Sequence, residues 1–209
     1  VYGGKGPYLH GATIEAERIY VGNFLGIAGL QCIACKLNGK QIVIEQGRAT
    51  SGIQVSDSGK AGQRAEVSLS DVSVRDISPP PQSFEIGIYG LADTEFGFGI
   101  ALMGGMLELH RAEVDHATSA GLVAYESKFF CRNAAAQNCG DSELRIEDVK
   151  VTHTRPDSRG WMGVGIAAVD GAELIASRVL ADQNHTAGVI VVNNLRTIDG
   201  KESAKSESL

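Results

Sequence analysis

Two histidines and an arginine are the residues of this sequence with the clearest capacity for acid–base chemistry. His116 and His153 carry imidazoles, the side chain most often used as a general base, and Arg155 follows His153 by two positions. A polysaccharide lyase needs a base and a group that neutralises substrate charge, and either imidazole with the guanidinium would supply both. If the chain is an enzyme, these three residues are the candidate catalytic residues.

Acidic and aromatic side chains extend this candidate site. One loop carries Phe84 and Tyr89, and another carries Asp157 and Trp161. Aromatic faces stack on sugar rings and polar groups bind hydroxyls, so this combination predicts a saccharide site. The alternative interpretation is that these residues only cap turns and cover the core. The predicted ligand-binding residues are Asp76, Phe84, Tyr89, Asp115, His116, His153, Arg155, Asp157 and Trp161.

The sequence lacks the motifs of the enzyme classes that would use such a site. The polygalacturonase-type motifs Asn-Thr-Asp, Asp-Asp, Gly-His-Gly and Arg-Ile-Lys do not occur, and no pair of carboxylates can be assigned as acid and base. The sequence therefore favours a non-catalytic module that binds a glycan or a protein partner, or that acts as a rigid spacer. The alternative is a polysaccharide lyase or a glycoside hydrolase. No cofactor and no metal ion is predicted.

An apolar pattern that repeats along the chain must position these residues. In the stretch LRIEDVKV, apolar side chains fall at Leu144, Ile146, Val149 and Val151, at offsets of 0, 2, 5 and 7 residues. Alternation with a period of two indicates a β-strand, and the extra residue in the middle indicates a corner. The other copies are Ile14, Ala16, Ile19, Val21; Ile42, Ile44, Gly47, Ala49; Val67, Leu69, Val72, Val74; Leu107, Leu109, Ala112, Val114; and Leu174, Ala176, Val179, Ala181.

Each copy is followed by a glycine and a short apolar run, which predicts a return strand. These glycines are Gly26, Gly52, Gly99, Gly121, Gly165 and Gly188. A single copy cannot bury its apolar side chains, but copies stacked at roughly 4.8 Å along parallel strands can. The sequence therefore predicts an all-β fold, a single-stranded right-handed parallel β-helix, or solenoid, of about six rungs. It would occupy residues 1–198, and residues 199–209 would form a polar tail or linker.

Stacking would also align outward-facing residues in columns. One predicted column nearly alternates in charge and indicates ion pairs on an exposed face. Its members are Arg18, Gln46, Asp71, Arg111, Asp148 and Arg178. A second column places the two histidines on adjacent rungs. Its members are Asn23, Asp76, His116, His153 and Gln183.

Composition limits the possible partners. A formal net charge of −6 argues against nucleic acid or an anionic membrane, since both favour a basic face. No apolar run is long enough to span a bilayer, so no membrane insertion is predicted. The chain opens at Val1 without an initiating Met or a signal peptide, and we interpret it as a mature or excised portion of a longer chain.

Four cysteines lie in two close pairs, Cys32 with Cys35 and Cys131 with Cys139. Their proximity favours two local disulfides and therefore an oxidising compartment. A zinc site is the competing interpretation, but the pairs would lie about three rungs, or roughly 14 Å, apart, which is too far for one tetrahedral ion. The predicted location is extracellular or at the cell surface.

The unit LRIEDVKVTHTRPDSRGWMGVGIAAVDGAEL resembles the repeat of large extracellular β-helix proteins of myxobacteria and their relatives. These proteins belong to the broader right-handed parallel β-helix repeat superfamily, which includes pectate lyases. The resemblance covers roughly Leu69 to Val192 and is best from Leu144 to Val191. It implies a β-helix and a surface location. It implies no particular reaction, because the superfamily mixes lyases, hydrolases, adhesins and scaffolds.

Overall fold

A computed structural model describes residues 7–58, 63–81, 96–125, 141–160 and 162–192, and the backbone of residues 196–198 and 201–203. Within these residues the chain is all-β, as the sequence predicts. The strands are β1 (Tyr8–His10), β2 (Thr13–Gly22), β3 (Leu25–Ile33), β4 (Lys36–Ser56), β5 (Glu66–Ser78), β6 (Phe98–Met103), β7 (Gly105–Asp115), β8 (Ala120–Tyr125), β9 (Ser142–Thr152), β10 (Val164–Val169), β11 (Glu173–Asp182), β12 (Ala187–Val192), β13 (Arg196–Ile198) and β14 (Lys201–Ser203).

The first twelve strands form one parallel, nearly closed, barrel-like sheet. Its main path runs β11-β9-β7-β5-β4-β6-β8-β10-β12, and β1, β2 and β3 join it through β3 and β4. Strand β4 is long enough to belong to both sides of the sheet, because its first half pairs with β5 and its second half pairs with β6. Strands β13 and β14 pair separately and antiparallel. The prediction of parallel strands is confirmed.

The register of these strands matches the apolar repeat at all copies but one. Val67 pairs with Leu107, Leu107 with Leu144, and Leu144 with Leu174. The copy predicted to begin at Ile42 is wrong, because Leu37 pairs with both Ile14 and Val67. The correct copy is Leu37, Gly39, Ile42 and Ile44. Its second inward position is a glycine, which removed that position from the apolar pattern.

The same shift corrects one predicted return strand. Leu30, and not Ile27, pairs with Ile53, so Gly29 takes the place predicted for Gly26. Gly29 is closely packed, since a Cβ atom on it would lie 2.9 Å from the carbonyl oxygen of Gly52. Each return strand therefore contains a glycine that closely approaches the equivalent glycine of the neighbouring strand.

The extra residue in each copy adopts a left-handed backbone conformation, which bends the strand at that point. The φ angles lie between 51° and 60°, a region that non-glycine residues rarely occupy. These corner residues are Arg18, Gln41, Asp71, Arg111, Asp148 and Arg178. The predicted column is therefore corrected at one position, from Gln46 to Gln41. The predicted ion pairs are present at Arg111 with Asp71 and at Arg178 with Asp148, both at 2.6 Å.

The interior of the sheet holds one large apolar core. Its fully buried side chains include Ile42, Ile44, Leu69, Leu109 and Leu144. The β6, β8 and β10 strands are buried on both faces, and their outer face forms a second apolar cluster that includes Phe98, Val123 and Val164. The apolar repeat describes inward positions only, so this second cluster is an additional feature of the return strands.

The cysteine prediction is confirmed for one pair. Cys32 and Cys35 form a disulfide with a Cα–Cα distance of 5.5 Å, and both side chains are buried. Cys131 and Cys139 lie outside the described residues. Among the described residues, no helix has the length and apolar character to cross a bilayer.

Candidate functional site

The two histidines lie side by side at the ends of neighbouring strands. Strand β7 ends at Asp115 and β9 ends at Thr152, and these two residues are register partners. The next residue on each strand is a histidine, and both histidines adopt left-handed φ angles, 55° for His116 and 53° for His153. The prediction that the histidines occupy adjacent positions of one column is confirmed.

This column is a second line of corners. The residues at its other levels also have positive φ angles, from 52° to 56°. They are Asn23, Gln46, Asp76 and Gln183. The left-handed backbone conformation therefore sets the direction in which each histidine side chain points. The spacing between adjacent strands sets the separation of the two histidines.

The carboxylate of Asp115 holds both imidazoles, a geometry that sequence periodicity does not reveal. One oxygen lies 2.7 Å from Nδ1 of His116, and the other lies 2.8 Å from Nδ1 of His153. The hydroxyl of Thr152 donates a hydrogen bond of 2.9 Å to the second oxygen. The two rings stack with centroids 4.7 Å apart and planes 16° from parallel. We call this arrangement the histidine corner.

The electrostatics of the histidine corner keep the carboxylate ionised. Partial burial of Asp115 favours its neutral form, but hydrogen bonds from His153, His116 and Thr152 outweigh this effect and lower the pKa of the carboxyl group to about 2. An ionised carboxylate only accepts hydrogen bonds, so each histidine donates from Nδ1. In a neutral imidazole, the lone pair then lies on Nε2, on the opposite side of the ring from Asp115.

Arg155 and Asp76 lie near the histidine corner and pair with each other. The guanidinium Nη2 atom lies 3.8 Å from a carboxylate oxygen of Asp76, and both side chains are more than half exposed. The backbone of Arg155 is fixed by hydrogen bonds with Ala117 and Ser119. The Arg155 guanidinium is therefore positioned by the Asp76 carboxylate.

Asp157 is placed differently from the other predicted ligands. Its side chain is buried, and its carboxylate accepts hydrogen bonds from the backbone amide of Arg159 at 3.0 Å and from the guanidinium Nη2 at 3.2 Å. The carboxylate therefore stabilises its own loop in this conformation. Phe84, Tyr89 and Trp161 lie outside the described residues, so the aromatic walls of the site stay a prediction.

Sequence reasoning missed the number of contacts that converge on Asp115. The sequence predicts no metal site, and this stays a prediction; one ligand atom from each of Asp115, His116 and His153 lies within 4.8 Å of the others. The register brings both histidines beside Asp115, because they follow register partners on adjacent strands, but it does not determine the side-chain contacts.

Comparisons with models of known protein families, with curated proteins and with solved structures found no match. The resemblance to the parallel β-helix repeat superfamily therefore stays a prediction, and the functional argument depends on the geometry of the histidine corner.

Proposed function

We propose that this chain is a non-catalytic module of a secreted or cell-surface protein, and that it binds a glycan at the histidine corner. The observation that carries the proposal is the stacked pair of His116 and His153, held by one carboxylate at a partly exposed edge. Their side chains are 38% and 44% exposed. Rigid polar groups at an accessible edge bind hydroxyls with little loss of side-chain freedom.

We propose further that the sheet is a right-handed parallel β-helix of about six rungs. The support is the register, because β2, β4, β5, β7, β9 and β11 pair in chain order, and so do β4, β6, β8, β10 and β12. In such a fold each turn contacts only the turns before and after it. The turns are therefore separable units.

Deleting one whole turn tests this fold. Removal of Leu144–Glu173 joins Glu143 to Leu174, and the register pairs Glu143 with Glu173 and Leu144 with Leu174. In a β-helix, β11 then pairs with β7 and β12 pairs with β8. The shortened chain is expected to keep a β-sheet circular dichroism spectrum and cooperative unfolding, with lower stability.

The control is a deletion that is one residue shorter and has its junction inside the strand, Glu147–Ile175. It makes the inward residues Ile146 and Ala176 adjacent, so the side chains on one side of the junction must turn to the outer face. This variant is expected to lose the last two strands or to aggregate. Loss of folded structure in both deletions would contradict the stacked-turn architecture.

The surroundings of the histidine corner suit a polar ligand. Asp76 and Arg155 add a carboxylate and a guanidinium that are both exposed and can exchange their mutual ion pair for ligand hydroxyls. An acidic chain with a net charge of −6 favours neutral or mixed polar partners over polyanions. The buried Cys32–Cys35 disulfide supports the proposed export, since such bonds persist in oxidising compartments.

A glycan array with the purified chain tests the proposed function. Any glycan that binds would then be incubated overnight with the chain, and the products would be analysed by mass spectrometry. The expected result is binding with intact glycan. An array without any bound glycan would contradict glycan recognition and leave a protein partner or a spacer role.

A polysaccharide lyase is the second candidate, and one observation favours it. Asp115 accepts from Nδ1 of both histidines, so each Nε2 is oriented as a base that could remove a substrate proton. Arg155 would neutralise the substrate carboxylate. This candidate predicts unsaturated sugar ends in the incubation above, and products of intact mass would exclude it for the glycans tested.

A further inference from the structure

The carboxylate of Asp115 and the rings of His116 and His153 form a compact group of metal-ligating side chains. One ligand atom from each lies within 4.8 Å of the others. We propose that this group binds a divalent transition metal ion of the zinc, nickel and copper class. The proposal does not depend on glycan binding, because it is tested with the metal alone.

The donor set selects the class of metal. Imidazole nitrogen is a common ligand of zinc, nickel and copper. Calcium takes six to eight oxygen ligands, and magnesium is bound through carboxylates and retained waters. A site with two imidazole nitrogens as ligands, each held by a hydrogen bond to the Asp115 carboxylate, therefore suits the transition metals.

The hydrogen bonds of Asp115 prepare the imidazoles as ligands. A histidine that binds a metal almost always donates its other ring N–H to a carboxylate, a backbone carbonyl or water, which fixes the tautomer and raises the basicity of the ligating nitrogen. Here Asp115 accepts from Nδ1 of both His116 and His153. Among the described residues, neither Nε2 atom has a hydrogen-bond partner. Both lone pairs therefore lie on the same side of the histidine corner, away from the carboxylate.

The stacked rings must adjust to share one ion. The planes are 16° from parallel and the centroids are 4.7 Å apart, so the two Nε2 lone pairs lie in separate, nearly parallel planes. An ion bound by both nitrogens requires the rings to tilt toward each other. Because 38% and 44% of these side chains are exposed, there is space for this rotation. Metal binding is thus expected to break the ring stacking.

The arginines near Asp115 pair with other carboxylates. Arg75, its register partner on β5, lies 3.3 Å from Glu113, and Arg155 pairs with Asp76. Among the described residues, the side chains of Asp115 and the two histidines contact each other directly, and Arg75 and Arg155 have other carboxylate partners. The negative charge of Asp115 is therefore placed where it would balance a bound cation.

Calorimetric titration of chelator-treated chain with zinc, nickel or copper chloride tests the proposal. One ion is expected to bind per chain, and His116→Asn and His153→Asn are each expected to weaken binding by at least about tenfold. Asparagine is chosen because it tolerates the left-handed backbone, and Asn23 already occupies this column with a φ angle of 52°. The variants should therefore stay folded.

Copper adds a spectroscopic readout. Electron paramagnetic resonance of the native chain is expected to show nitrogen coupling from two imidazoles, and either single variant is expected to show one. Asp115→Asn removes the charge but keeps the side-chain shape, and it is expected to weaken binding by about 10 to 100-fold.

His110→Asn is the matched control. His110 is also partly exposed beside a carboxylate, with Nδ1 3.1 Å from Glu147, but it lies outside the histidine corner. This variant is expected to bind metal as the native chain does. Equal affinity of the native chain and the His116→Asn/His153→Asn double variant, or a copper spectrum without two-imidazole coupling, would overturn the proposal. Because no glycan is present, failure here leaves the glycan proposal standing, and the reverse also holds.

Discussion

Replacement of Leu109 with alanine is expected to lower the free energy of unfolding by about 3 kcal/mol. Leu109 is fully buried in the large core, and its register partners are Leu69 and Ile146 on the two adjacent strands. Truncation removes apolar contacts and leaves a cavity, because neighbours on both sides are fixed by their own strands. Urea denaturation followed by circular dichroism measures the change.

Leu180→Ala is the matched control, since it is the same substitution at a surface position. Leu180 is 51% exposed on the last long strand and pairs with Lys150. Its effect on the free energy of unfolding is expected to lie within about 0.5 kcal/mol. Similar losses in the two variants would show that Leu109 does not lie in a tightly packed interior.

Substitution of Gly99 with alanine is expected to destabilise the chain by about 3 kcal/mol. Leu109→Ala leaves a cavity, whereas Gly99→Ala adds a methyl group where there is no space for it. A Cβ atom at this position would lie 2.5 Å from the carbonyl oxygen of Gly121 on the next strand, and it would also collide with Cγ1 of Val114. The carbonyl belongs to the backbone and cannot rotate away. Relief therefore requires adjacent strands to separate, which weakens their pairing.

Gly160→Ala is the control that separates the steric clash at Gly99 from the backbone strain that any glycine replacement can cause. Gly160 has a φ angle of +78°, and a Cβ atom there would have no other atom within 4 Å. It is expected to cost about 1 kcal/mol, from backbone strain alone. If Gly99→Ala unfolded at the same denaturant concentration as Gly160→Ala, the close approach of the return strands would be contradicted.

Much of the fold follows from the apolar repeat, because inward side chains must alternate and the corner residue interrupts the alternation. The repeat predicted the pairing of Val67, Leu107, Leu144 and Leu174 directly. It failed at Leu37, where Gly39 contributes no side chain to the pattern. A glycine at an inward strand position, such as Gly39, cannot be told from a turn glycine by residue type alone.

The outer face of β6, β8 and β10 lies outside what the repeat predicts. Their apolar runs FGIALM, AGLVAY and VGIAAV are buried on both faces. A continuous apolar run is typical of a strand covered on both sides, so this signal was available in the sequence.

For the candidate site, the sequence predicts the positions of residues along the strands but not the contacts of their side chains. The repeat placed His116 and His153 on adjacent strands, because equivalent corners recur once per copy. It could not show that Asp115 contacts both rings, since the rotamers of three side chains decide that. It also could not show that the Asp157 carboxylate turns toward Arg159, because loop conformation has no periodic signal.

Calorimetric titration of the glycan that binds most tightly on the array tests the central claim, that the histidine corner is the binding site. The His116→Asn/His153→Asn variant is expected to bind at least about tenfold more weakly than the native chain, a loss of about 1.4 kcal/mol, with unchanged circular dichroism. His110→Asn is expected to bind as the native chain does. Native affinity in the double variant would contradict the account and place glycan recognition elsewhere on the surface.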